Sequence, residues 1–570
     1  MDKHAAARLL DTIASYQELK GENPFKVRAF SNAARTVDGF AGDLAQALVS
    51  GELAATKGIG PATLEVVREY GATGRSSLLE ELRGEVPDGL VEMLRISGLG
   101  VTKIRTLHEQ LRISTIAELE LAARNGRLAA LPKFGAKTAE KILRGIAFLR
   151  RNDAFQLSHR AAHTAAELRA IVAALPGVER IEIAGSVRRR MEISRDVDLV
   201  VACREPARSL EAGLAAAVRE VRSTGEASLS VTLEDGTTAD VYCAPPGQFG
   251  HCLLWATGSA AHLAQLTERA RAQGLELGVD GFTRGGATVP CPDETALYAA
   301  LGLAWIPPEL REGGGEVACA AAGTLPHLIE RRDLVGLLHC HSVYSDGTNT
   351  LPELAAACRA AGYRYLGVTD HSMAAAYAGG LREEAVTRQH EEIDALNRDS
   401  DGFRILKGIE ADILADGALD YGPGVLDRFD FVIGSVHSRM EQDQATMTQR
   451  VLRAMDDPHL TIVGHPTGRL LLGRDPYPLD LDAVIEKAAG RGVAIEINGD
   501  PQRLDLDWRW CAKARDAGVA ITIGADAHSL AGLDNMDFGV GIARKGWLEA
   551  RDVLNTRDAE GFLAYARARR

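Results

Sequence analysis

Nine His, Asp and Glu residues, nearly all placed at the ends of apolar runs, constrain this chain more than any other feature. They are His339 and His341 in LLHCHS, Asp346 in YSDG, His371 in GVTDHS, Glu410 in LKGIEAD, His437 in VIGSVHS, His465 in IVGHP, and Asp526 and His528 in IGADAH. The set offers nitrogen and oxygen ligands and no thiolate, which suits two or three divalent ions such as Mn²⁺, Zn²⁺ or Fe²⁺. Such a site makes hydroxide at neutral pH and binds phosphate oxygens, so the pattern indicates a metal-dependent hydrolase.

The apolar runs that carry these residues alternate with helical segments from residue 333 onward. The predicted strands are LVGLL, YLGVTD, FVIGSV, LTIVG, VAIEI and VAITIG. This alternation predicts a parallel β/α architecture, in which ligands that follow the strands gather at the C-terminal mouth of a barrel.

Other polar residues of this region are interpreted by whether they lie near a predicted strand end. Glu496 lies near the predicted mouth, where Asn498 and Arg503 would orient a phosphate. His390 and His459 lie in helical or turn contexts, away from strand ends, and are interpreted as structural.

Length, charge and cysteine usage narrow the class of protein. A chain of 570 residues is too long for one core and predicts several domains. The net charge is −13, yet residues 101–150 hold ten Lys/Arg against four Asp/Glu, a basic strip suited to nucleic acid. The eight cysteines form no CxxC pair, and neither a signal-peptide core nor a membrane-length apolar run of about 18 residues is present. A reducing, cytoplasmic location away from membranes is therefore expected.

The first 150 residues read as short helices with three repeated turns. Lys57-Gly-Ile-Gly60, Ser97-Gly-Leu-Gly100 and Pro132-Lys-Phe-Gly135 each precede a helical run, and Lys103 and Lys137 follow the second and third. Glycines permit positive φ, and the next helix presents free N–H groups, so each turn can hold a phosphate without reading a base. The third copy is the weakest.

A group of aspartates follows in a strand-rich segment. The predicted strands are IEIAGS, VDLVVAC, SLSVTLE and ADVYCA. Asp196 and Asp198, two residues apart on a predicted strand, should share one face, and Asp240 on a later strand could complete a three-carboxylate cluster. Two Mg²⁺ ions need such ligands to activate a 3′-hydroxyl and neutralise a departing pyrophosphate. Upstream, Gly185-Ser186 with Arg188 and Arg189 suits a triphosphate.

These motifs together resemble one known family. The order GS-x-RR, DxD and a later Asp resembles the palm of family X DNA polymerases. The segment Trp255-Ala-Thr-Gly-Ser259 resembles that family's sugar-gate segment, and LGLAWIPPELREGGGEV resembles its bacterial thumb. The three turns resemble helix-hairpin-helix motifs, and the nine-ligand set resembles the polymerase and histidinol phosphatase (PHP) domain of bacterial members.

The resemblance implies a multidomain fold. It comprises all-α helix-hairpin-helix N-terminal domains, an α+β nucleotidyltransferase palm with a thumb, and a C-terminal β/α (PHP) barrel. The expected bounds are 1–85 for the N-terminal helical DNA-binding domain, 86–150 for the fingers, 151–255 for the palm, 256–312 for the thumb, 313–332 for a Gly- and Ala-rich linker, and 333–570 for the PHP domain.

It also implies roles for residues and partners. Asp196, Asp198 and Asp240 would be catalytic and hold Mg²⁺ or Mn²⁺, and the nine-residue set would hold the PHP metals. The nucleotide would be bound by Gly185, Ser186, Arg189, Trp255, Thr257 and Gly258, and the DNA backbone by Gly58, Gly60, Gly98, Gly100, Lys103, Gly135 and Lys137. Gapped or 3′-recessed DNA and dNTPs are the expected partners of a monomeric, nucleoid-associated enzyme that fills short gaps in repair and processes 3′ ends as a 3′–5′ exonuclease.

Several positions depart from the family pattern. Arg190 and Arg195 stand where Gly is common, Ala256 replaces the usual Phe of the sugar gate, and Leu263 replaces an Asn that contacts the new base pair. Val66 stands where lyase-active relatives carry the Schiff-base lysine, so lyase chemistry is not expected there. The nucleotide pocket has thus changed more than the metal ligands.

Two alternatives stay open. One is a PHP phosphoesterase acting on a small metabolite, with a catalytically weak polymerase half as scaffold. The other is a non-catalytic protein that binds DNA ends through its hairpins alone.

Overall fold

A computed structural model describes residues 3–40, 42–96, 98–129, 131–132, 134–203, 208–233, 236–279, 281–398, 400 and 402–570. Ser97 and Lys133, members of the second and third predicted hairpins, lie outside these ranges. The chain folds as two units, Met1–Ala154 with Leu472–Arg474, and Phe155–Leu471 with Asp475–Arg570. None of the described helices is both long and apolar enough to cross a membrane.

The first unit is all helical, as predicted. Its helices are α1 Lys3–Lys20, α2 Pro24–Asp38, α3 Leu44–Ser50, α4 Glu52–Ala55, α5 Pro61–Thr73, α6 Ser77–Glu85, α7 Asp88–Met93, α8 Val101–Leu111, α9 Ile116–Arg124 and α10 Ala136–Asn152. Their amphipathic faces share one apolar core, in which Phe30 and Phe134 are almost fully buried.

The second unit begins with a region that contains a two-stranded sheet and a five-stranded sheet. Its elements are β1 Gln156–Leu157, α11 Ser158–Ala173, β2 Val178–Ile183, α12 Gly185–Arg188, β3 Ile193–Ser194, β4 Val197–Cys203, α13 Arg208–Leu214, β5 Glu220–Gly225, β6 Ser228–Thr232 and β7 Thr238–Ala244. The two-stranded sheet pairs β1 with β3, and the strand order of the five-stranded sheet is β2-β4-β7-β6-β5, with β4 and β7 parallel and the other neighbours antiparallel. Four of these strands match those expected from the sequence, and the exposed β5 is additional.

A smaller helical region follows the sheet. Its elements are α14 Phe249–Thr257, α15 Ala260–Ala272, β8 Glu276–Gly278, β9 Gly281–Arg284, β10 Ala287–Thr288, α16 Glu294–Ala300 and α17 Glu316–Ala322. The predicted linker, residues 313–332, differs from expectation because it contains α17. The Glu316 side chain is fully buried and pairs with His262, while Val317 and Ala320 pack into the core of this region. The small residues that suggested a linker instead let a helix pack closely.

The remainder is a closed parallel barrel, which confirms the predicted β/α barrel. Its elements are β11 Gly336–Cys340, α18 Leu351–Ala360, β12 Tyr365–Val368, α19 Glu383–Arg398, β13 Arg404–Asp412, α20 Pro423–Leu426, β14 Phe431–Ser435, α21 Gln444–Ala454, β15 Leu460–Val463, α22 Leu481–Arg491, β16 Ala494–Asn498, α23 Trp508–Asp516, β17 Ile521–Ala527, α24 Asn535–Lys545 and α25 Ala559–Arg567. The strands close in sequence order, with β11 hydrogen-bonded to both β12 and β17.

Strand β13 is the barrel strand that the sequence analysis missed. Lys407 and Gly408 interrupt its apolar run, so the segment lacked the continuous hydrophobic pattern of its neighbours. At the opposite end from the predicted mouth, Phe562 of α25 packs edge-to-face on Phe431 and stacks on Tyr365, both of which begin strands. This plug fills the amino-terminal end of the barrel and leaves the carboxyl ends of the strands for the site.

Candidate metal and nucleotide sites

The structure gathers all nine predicted metal ligands at the carboxyl ends of the barrel strands. They form four overlapping groups, in each of which the candidate ligand atoms lie within 4.8 Å of one another. The groups are His341, Asp346, His371 and His528; His339, Glu410 and His465; His339, His341 and Asp526; and His371, Glu410 and His437. Shared members link the groups, so the arrangement suits several neighbouring cations.

The Glu410 carboxylate lies at the centre of this cluster. Its Oε1 is 2.9 Å from His465 Nε2 and 3.3 Å from His437 Nε2, and its Oε2 is 2.9 Å from His371 Nδ1. Two oxygens facing different histidines give this side chain the geometry of a bridging ligand.

Three of the nine residues lie in left-handed backbone conformations. The φ angles are +59° at His339, +24° at His465 and +49° at Asp526. Non-glycine residues rarely adopt these angles, and such strain concentrates where surrounding structure holds a functional geometry. His339 and Asp526 are the penultimate residues of β11 and β17, and His465 follows β15, so the strained positions lie at the mouth of the barrel.

Buried imidazole nitrogens support a metal at this site. Nε2 of His339 and both ring nitrogens of His341 are buried and lack a hydrogen-bond partner among the described residues. His341 Nε2 lies 3.3 Å from Asp526 Oδ1. An unpaired buried donor or acceptor costs free energy, and a cation between imidazole nitrogens and carboxylates would satisfy these atoms. The residues present therefore fit the divalent ions expected from the sequence.

The charges of the cluster favour cation binding. Burial, together with the nearby His528, lowers the pKa of His341 to about 3, which keeps this imidazole neutral and free to coordinate. Burial works against ionisation of Asp346, but His528 lowers the pKa of this carboxyl to about 2. Burial also opposes protonation of His437, yet Glu410 raises its pKa to about 10. A cation would replace protons of this kind.

Carboxylates behind the cluster orient the histidines. Glu496 Oε1 accepts a hydrogen bond from His339 Nδ1 at 2.6 Å, and its Oε2 accepts the backbone N–H of His465 at 2.8 Å. Asp412 Oδ1 lies 2.6 Å from His437 Nδ1. Such partners fix which ring nitrogen faces the metal. Glu496 was predicted near the mouth without a role and Asp412 was not predicted, although both are acids within strands that also carry predicted site residues.

A further buried acid fixes the loop after β11. Asp370 accepts hydrogen bonds from Ser342 Oγ at 2.6 Å, Ser345 Oγ at 2.5 Å and Gln389 Nε2 at 2.6 Å. These bonds hold the backbone between His341 and Asp346, and the sequence analysis missed this residue as well.

The two residues expected to orient a phosphate both contact a predicted ligand. Asn498 Nδ2 donates to Asp526 Oδ2 at 3.0 Å, and Arg503 Nε lies 3.3 Å from the same oxygen. His390 packs edge-to-face on Phe429, and His459 lies 2.8 Å from Asp457 Oδ1, so both histidines have structural partners as expected.

The palm carboxylates converge less tightly than the barrel ligands. Asp198 on β4 and Asp240 on β7 are register partners in adjacent parallel strands. Asp196 lies just before β4, whereas the sequence analysis placed it on the strand. Among the described residues, no three carboxylate oxygens here come within 4.8 Å of one another. Burial, then Asp196 and Asp240, raise the pKa of Asp198 to about 7.

Gly185 is required by the palm site. Its φ is +60°, and a Cβ at this position would lie 1.8 Å from Asp198 Oδ2. The glycine thus lets the Gly-Ser turn approach the Asp198 carboxylate, a contact that the sequence alone did not predict.

Arg188 and Arg189, both predicted to contact the triphosphate, have different partners in the fold. Arg188 donates twice to buried Glu294 and once to Thr257 Oγ1, all at 2.8 Å, so its guanidinium supports the fold rather than the triphosphate role expected for it. Arg189 donates through Nε to Glu312 Oε1 at 3.0 Å and through Nη1 to the Thr257 carbonyl. The Thr257 side chain is fully buried, and its backbone carbonyl is the group that Arg189 contacts.

The other predicted nucleotide residues each have a defined neighbour. Gly258 adopts a φ of +67°, and a Cβ there would lie 3.4 Å from Arg189 Nη1. Ser186 Oγ donates to Ser194 Oγ at 2.9 Å. Trp255 stacks on His251, with ring centroids 6.2 Å apart.

The structure shows what surrounds three of the residues that depart from the family pattern. Arg190 has a φ of +55°, a conformation that glycine adopts at lower cost, and its stem lies close to Gly541. Val66 is buried in the core of the first unit, and Leu263 packs against the core of the thumb region. These side chains serve packing where polar groups were expected from the family.

The hairpins present helix N-termini as predicted. Gly60, Gly100 and Gly135 immediately precede α5, α8 and α10, and no side chain caps the first turn from these positions. Gly58 and Gly98 have φ angles of +100° and +80°. Lys137 is exposed, while Lys103 Nζ donates to the Gly98 carbonyl at 2.9 Å. Free N–H groups beside basic side chains suit phosphate.

Family models match four parts of the chain. A helix-hairpin-helix domain matches residues 1–76, a SAM-like helix-hairpin-helix tandem matches 90–147, a DNA polymerase beta thumb matches 252–312, and a PHP domain matches 338–499.

Curated relatives agree with these matches. The DNA polymerase/3′-5′ exonuclease PolX of Bacillus subtilis (strain 168) is 39% identical over 573 residues, 99% of each chain. A probable phosphatase of Shewanella sp. (strain MR-4) is 32% identical over 209 residues, 34% of this chain and 78% of the relative. A probable phosphatase of Thermoanaerobacter sp. (strain X514) is 28% identical over 238 residues, 38% of this chain and 89% of the relative.

Proposed function

The chain belongs to the family X DNA polymerases that carry a C-terminal PHP domain, and from this membership we propose that it both extends and shortens DNA 3′ ends. Template-directed nucleotide addition takes place at the palm, and 3′–5′ exonuclease cleavage takes place at the barrel. The observation that carries the proposal is that one chain holds two separate acid-rich sites and matches, over 99% of its length, a relative named for both activities.

At the palm, Asp196, Asp198 and Asp240 would hold Mg²⁺ or Mn²⁺. Divalent ions bound there favour ionisation of the primer 3′-hydroxyl and offset the charge of the leaving pyrophosphate. Asp198 must be ionised to take part, and the pKa of about 7 makes its proton easy to lose near neutrality. Gly185 and Ser186 supply a close turn for the triphosphate, and Arg189 supplies a guanidinium held by two fixed acceptors.

At the barrel, the nine-residue cluster would hold two or three divalent ions such as Mn²⁺, Zn²⁺ or Fe²⁺. Ions there lower the pKa of the attacking water and act as Lewis acids toward the phosphodiester. The chain's own residues fix the ligand geometry: Glu496 and Asp412 orient His339 and His437, and Asp370 holds the loop that carries His341. Arg503, beside Asp526, adds a cation near the scissile phosphate.

The hairpins bind the DNA backbone without reading sequence. Gly58, Gly60, Gly98, Gly100 and Gly135 shape the turns, and Lys103 and Lys137 add positive charge. The function divides along the predicted bounds: residues 1–150 grip DNA, 151–312 build the polymerase with its thumb, and 333–570 carry the hydrolase. Gapped or 3′-recessed DNA and dNTPs are its substrates, which fits short-gap filling in repair near the nucleoid.

Paired active-site variants test the two-site proposal. Asp196→Ala with Asp198→Ala should reduce extension of a gapped duplex by at least about 10³-fold and leave 3′ shortening intact. His339→Ala with His341→Ala should do the reverse. Both activities are resolved on one gel with dNTP and Mn²⁺, and circular dichroism checks the fold of each variant. If either pair abolishes both activities in a folded protein, the two sites are not independent and the proposal fails.

A second function of the barrel is supported by its relatives. The probable phosphatases of Shewanella and Thermoanaerobacter, which are 32% and 28% identical over 34% and 38% of this chain, support phosphomonoester cleavage by the same cluster. Release of inorganic phosphate from a 3′-phosphorylated oligonucleotide tests it. Retention of that phosphate under conditions where the exonuclease is active would limit the barrel to phosphodiesters.

Sugar selection at the palm is expected to be weak. Ala256 offers a smaller side chain than the Phe of the family's sugar gate, so a ribose 2′-hydroxyl meets less obstruction. Gap filling with paired dNTP and rNTP measures the discrimination, and Ala256→Phe is the matched variant. Discrimination by the unaltered protein as strong as that of Ala256→Phe would show that the backbone provides the gate instead.

A further inference from the structure

A buried lysine of the barrel domain reaches the nucleotide-binding region of the palm. Lys545, the last residue of α24, is fully buried. Its Nζ lies 2.5 Å from Glu312 Oε1 and donates to the Arg189 carbonyl at 3.1 Å. Glu312 Oε1 also accepts from Arg189 Nε. One carboxylate oxygen therefore joins a cation of the barrel domain to the arginine expected to contact the triphosphate.

The same palm segment is held by the barrel domain at a second point. Glu192, only 5% exposed, accepts from Trp508 Nε1 and from Arg509 Nη1, each at 3.2 Å. Lys545 Nζ lies 4.7 Å from the centre of the Trp508 ring, so the two contacts adjoin. Residues 189–192, which lie between the Gly-Ser turn and the catalytic aspartates, are thus fixed to the barrel domain on both sides.

The charge balance explains why a lysine is needed. A partly buried Glu312 facing Arg189 alone would hold that guanidinium strongly and compete with any phosphate for it. Lys545 shares the negative charge, and burial lowers the pKa of its amine while Glu312 opposes that shift. Shared in this way, Glu312 orients Arg189 while leaving its positive charge available.

We propose that Lys545, acting through Glu312, is a positioning residue for Arg189, so that the barrel domain completes the nucleotide pocket of the polymerase. The proposal rests on the proposed role of Arg189 at the triphosphate. It assigns the barrel domain a part in synthesis that is separate from its own hydrolytic cluster.

Steady-state gap filling by the full-length protein tests this assignment. Lys545→Met keeps the length of the side chain and removes its charge. It should raise the KM for dNTP about tenfold, with kcat, DNA affinity and 3′–5′ exonuclease activity each changed less than about threefold. Lys545→Arg should restore the KM to within about threefold. The matched control is Arg544→Met, which removes a neighbouring cation of α24 that pairs with Glu309 at 2.6 Å and not with Glu312.

A double-variant cycle separates a positioning role from general support. Glu312→Gln alone should change the KM for dNTP by at least about threefold, and adding Lys545→Met to it should have little further effect, because the charge that Lys545 balances is gone. Independent, multiplying effects on KM would overturn the proposal, as would equal effects of Lys545→Met and Arg544→Met.

Two further measurements decide the matter if Lys545→Met does not fold or if Arg189 does not contact the nucleotide. If Lys545→Met fails to fold, as judged by its thermal unfolding, then Glu312→Gln and Lys545→Arg decide the matter, and an unchanged KM in Glu312→Gln overturns the proposal. Arg189→Ala is measured in parallel. An unchanged KM in Arg189→Ala contradicts the proposed nucleotide role itself, whereas a raised KM there with an unchanged KM in folded Lys545→Met contradicts only the present inference.

Discussion

The two acid-rich sites of this protein differ in how completely the fold builds them. In the barrel, nine ligands lie in overlapping groups within 4.8 Å, and buried carboxylates orient the histidines. In the palm, Asp198 and Asp240 are paired by strand register, but Asp196 lies before the strand and the three carboxylates do not form such a group. The barrel residues therefore converge on their own more closely than the palm carboxylates do.

The largest test of this contrast removes the central carboxylate of the barrel. Glu410→Gln keeps the size of the side chain but takes away the charge that faces His371, His437 and His465. Exonuclease activity should fall on the order of 10³-fold because several metal positions lose a shared ligand. Gap filling should stay within about twofold. A loss of both activities would mean that the barrel cluster also organises the palm.

A pair of glycine variants compares the two sites directly. Gly185 and Gly524 each admit a carboxylate, since an added Cβ would lie 1.8 Å from Asp198 Oδ2 or 1.9 Å from Glu496 Oε1. Gly185→Ala should reduce gap filling about 10²-fold without affecting the exonuclease, and Gly524→Ala should do the opposite. Gly490→Ala in α22, where the added methyl group meets open space, is the matched control for stability. Full activity of either active-site variant would show that its carboxylate can move without cost.

The orienting carboxylates of the barrel provide a smaller test. Glu496→Gln weakens the bond to His339 Nδ1 while leaving all nine proposed ligands in place. Affinity of the barrel for Mn²⁺ should fall by about 10- to 100-fold, as expected for loss of a partner that sets the histidine tautomer. Titration calorimetry on a protein with Asp196→Ala and Asp198→Ala isolates this site. Unchanged affinity would show that the barrel positions its histidines by packing alone.

The smallest expected effect is the pH dependence of the palm. Burial, Asp196 and Asp240 raise the pKa of Asp198 to about 7, so this carboxyl is mostly protonated below that pH. Mg²⁺ requires the ionised form, and the Mg²⁺ concentration for half-maximal gap filling should therefore rise as pH falls from 8 to 6, by about tenfold. A flat dependence over this range would place the pKa of Asp198 well below 7.

The barrel and its ligands were predictable because the relevant pattern is local. Nearly every ligand follows an apolar run, and parallel strands bring their carboxyl ends together, so the sequence pattern indicated where the ligands would meet. Strand β13 was not predicted because Lys407 and Gly408 interrupt its apolar run, although Glu410 within it was predicted as a metal ligand.

The partners of the ligands were not predictable because they depend on contacts between distant strands. Glu496 meets His339 across 157 positions, and Glu316 meets His262 across 54. The neighbouring sequence does not distinguish Arg188 from Arg189. Arg188 nevertheless donates to Glu294, which is 106 residues away. Register and packing decide these pairings, and they appear only once the chain is folded.

Closure of the barrel between β11 and β17 has a consequence for how such a chain arose. A sheet that closes on itself needs no hydrogen bond from any other domain, so a gene for it can be joined to another gene as a finished piece. The Shewanella and Thermoanaerobacter proteins match 34% and 38% of this chain, which is in keeping with such an origin. In this chain, however, Glu192 and Glu312 accept hydrogen bonds from residues of the barrel domain, so deleting the piece would leave both acids without those partners. Removing the barrel domain should therefore destabilise the palm segment that these contacts hold.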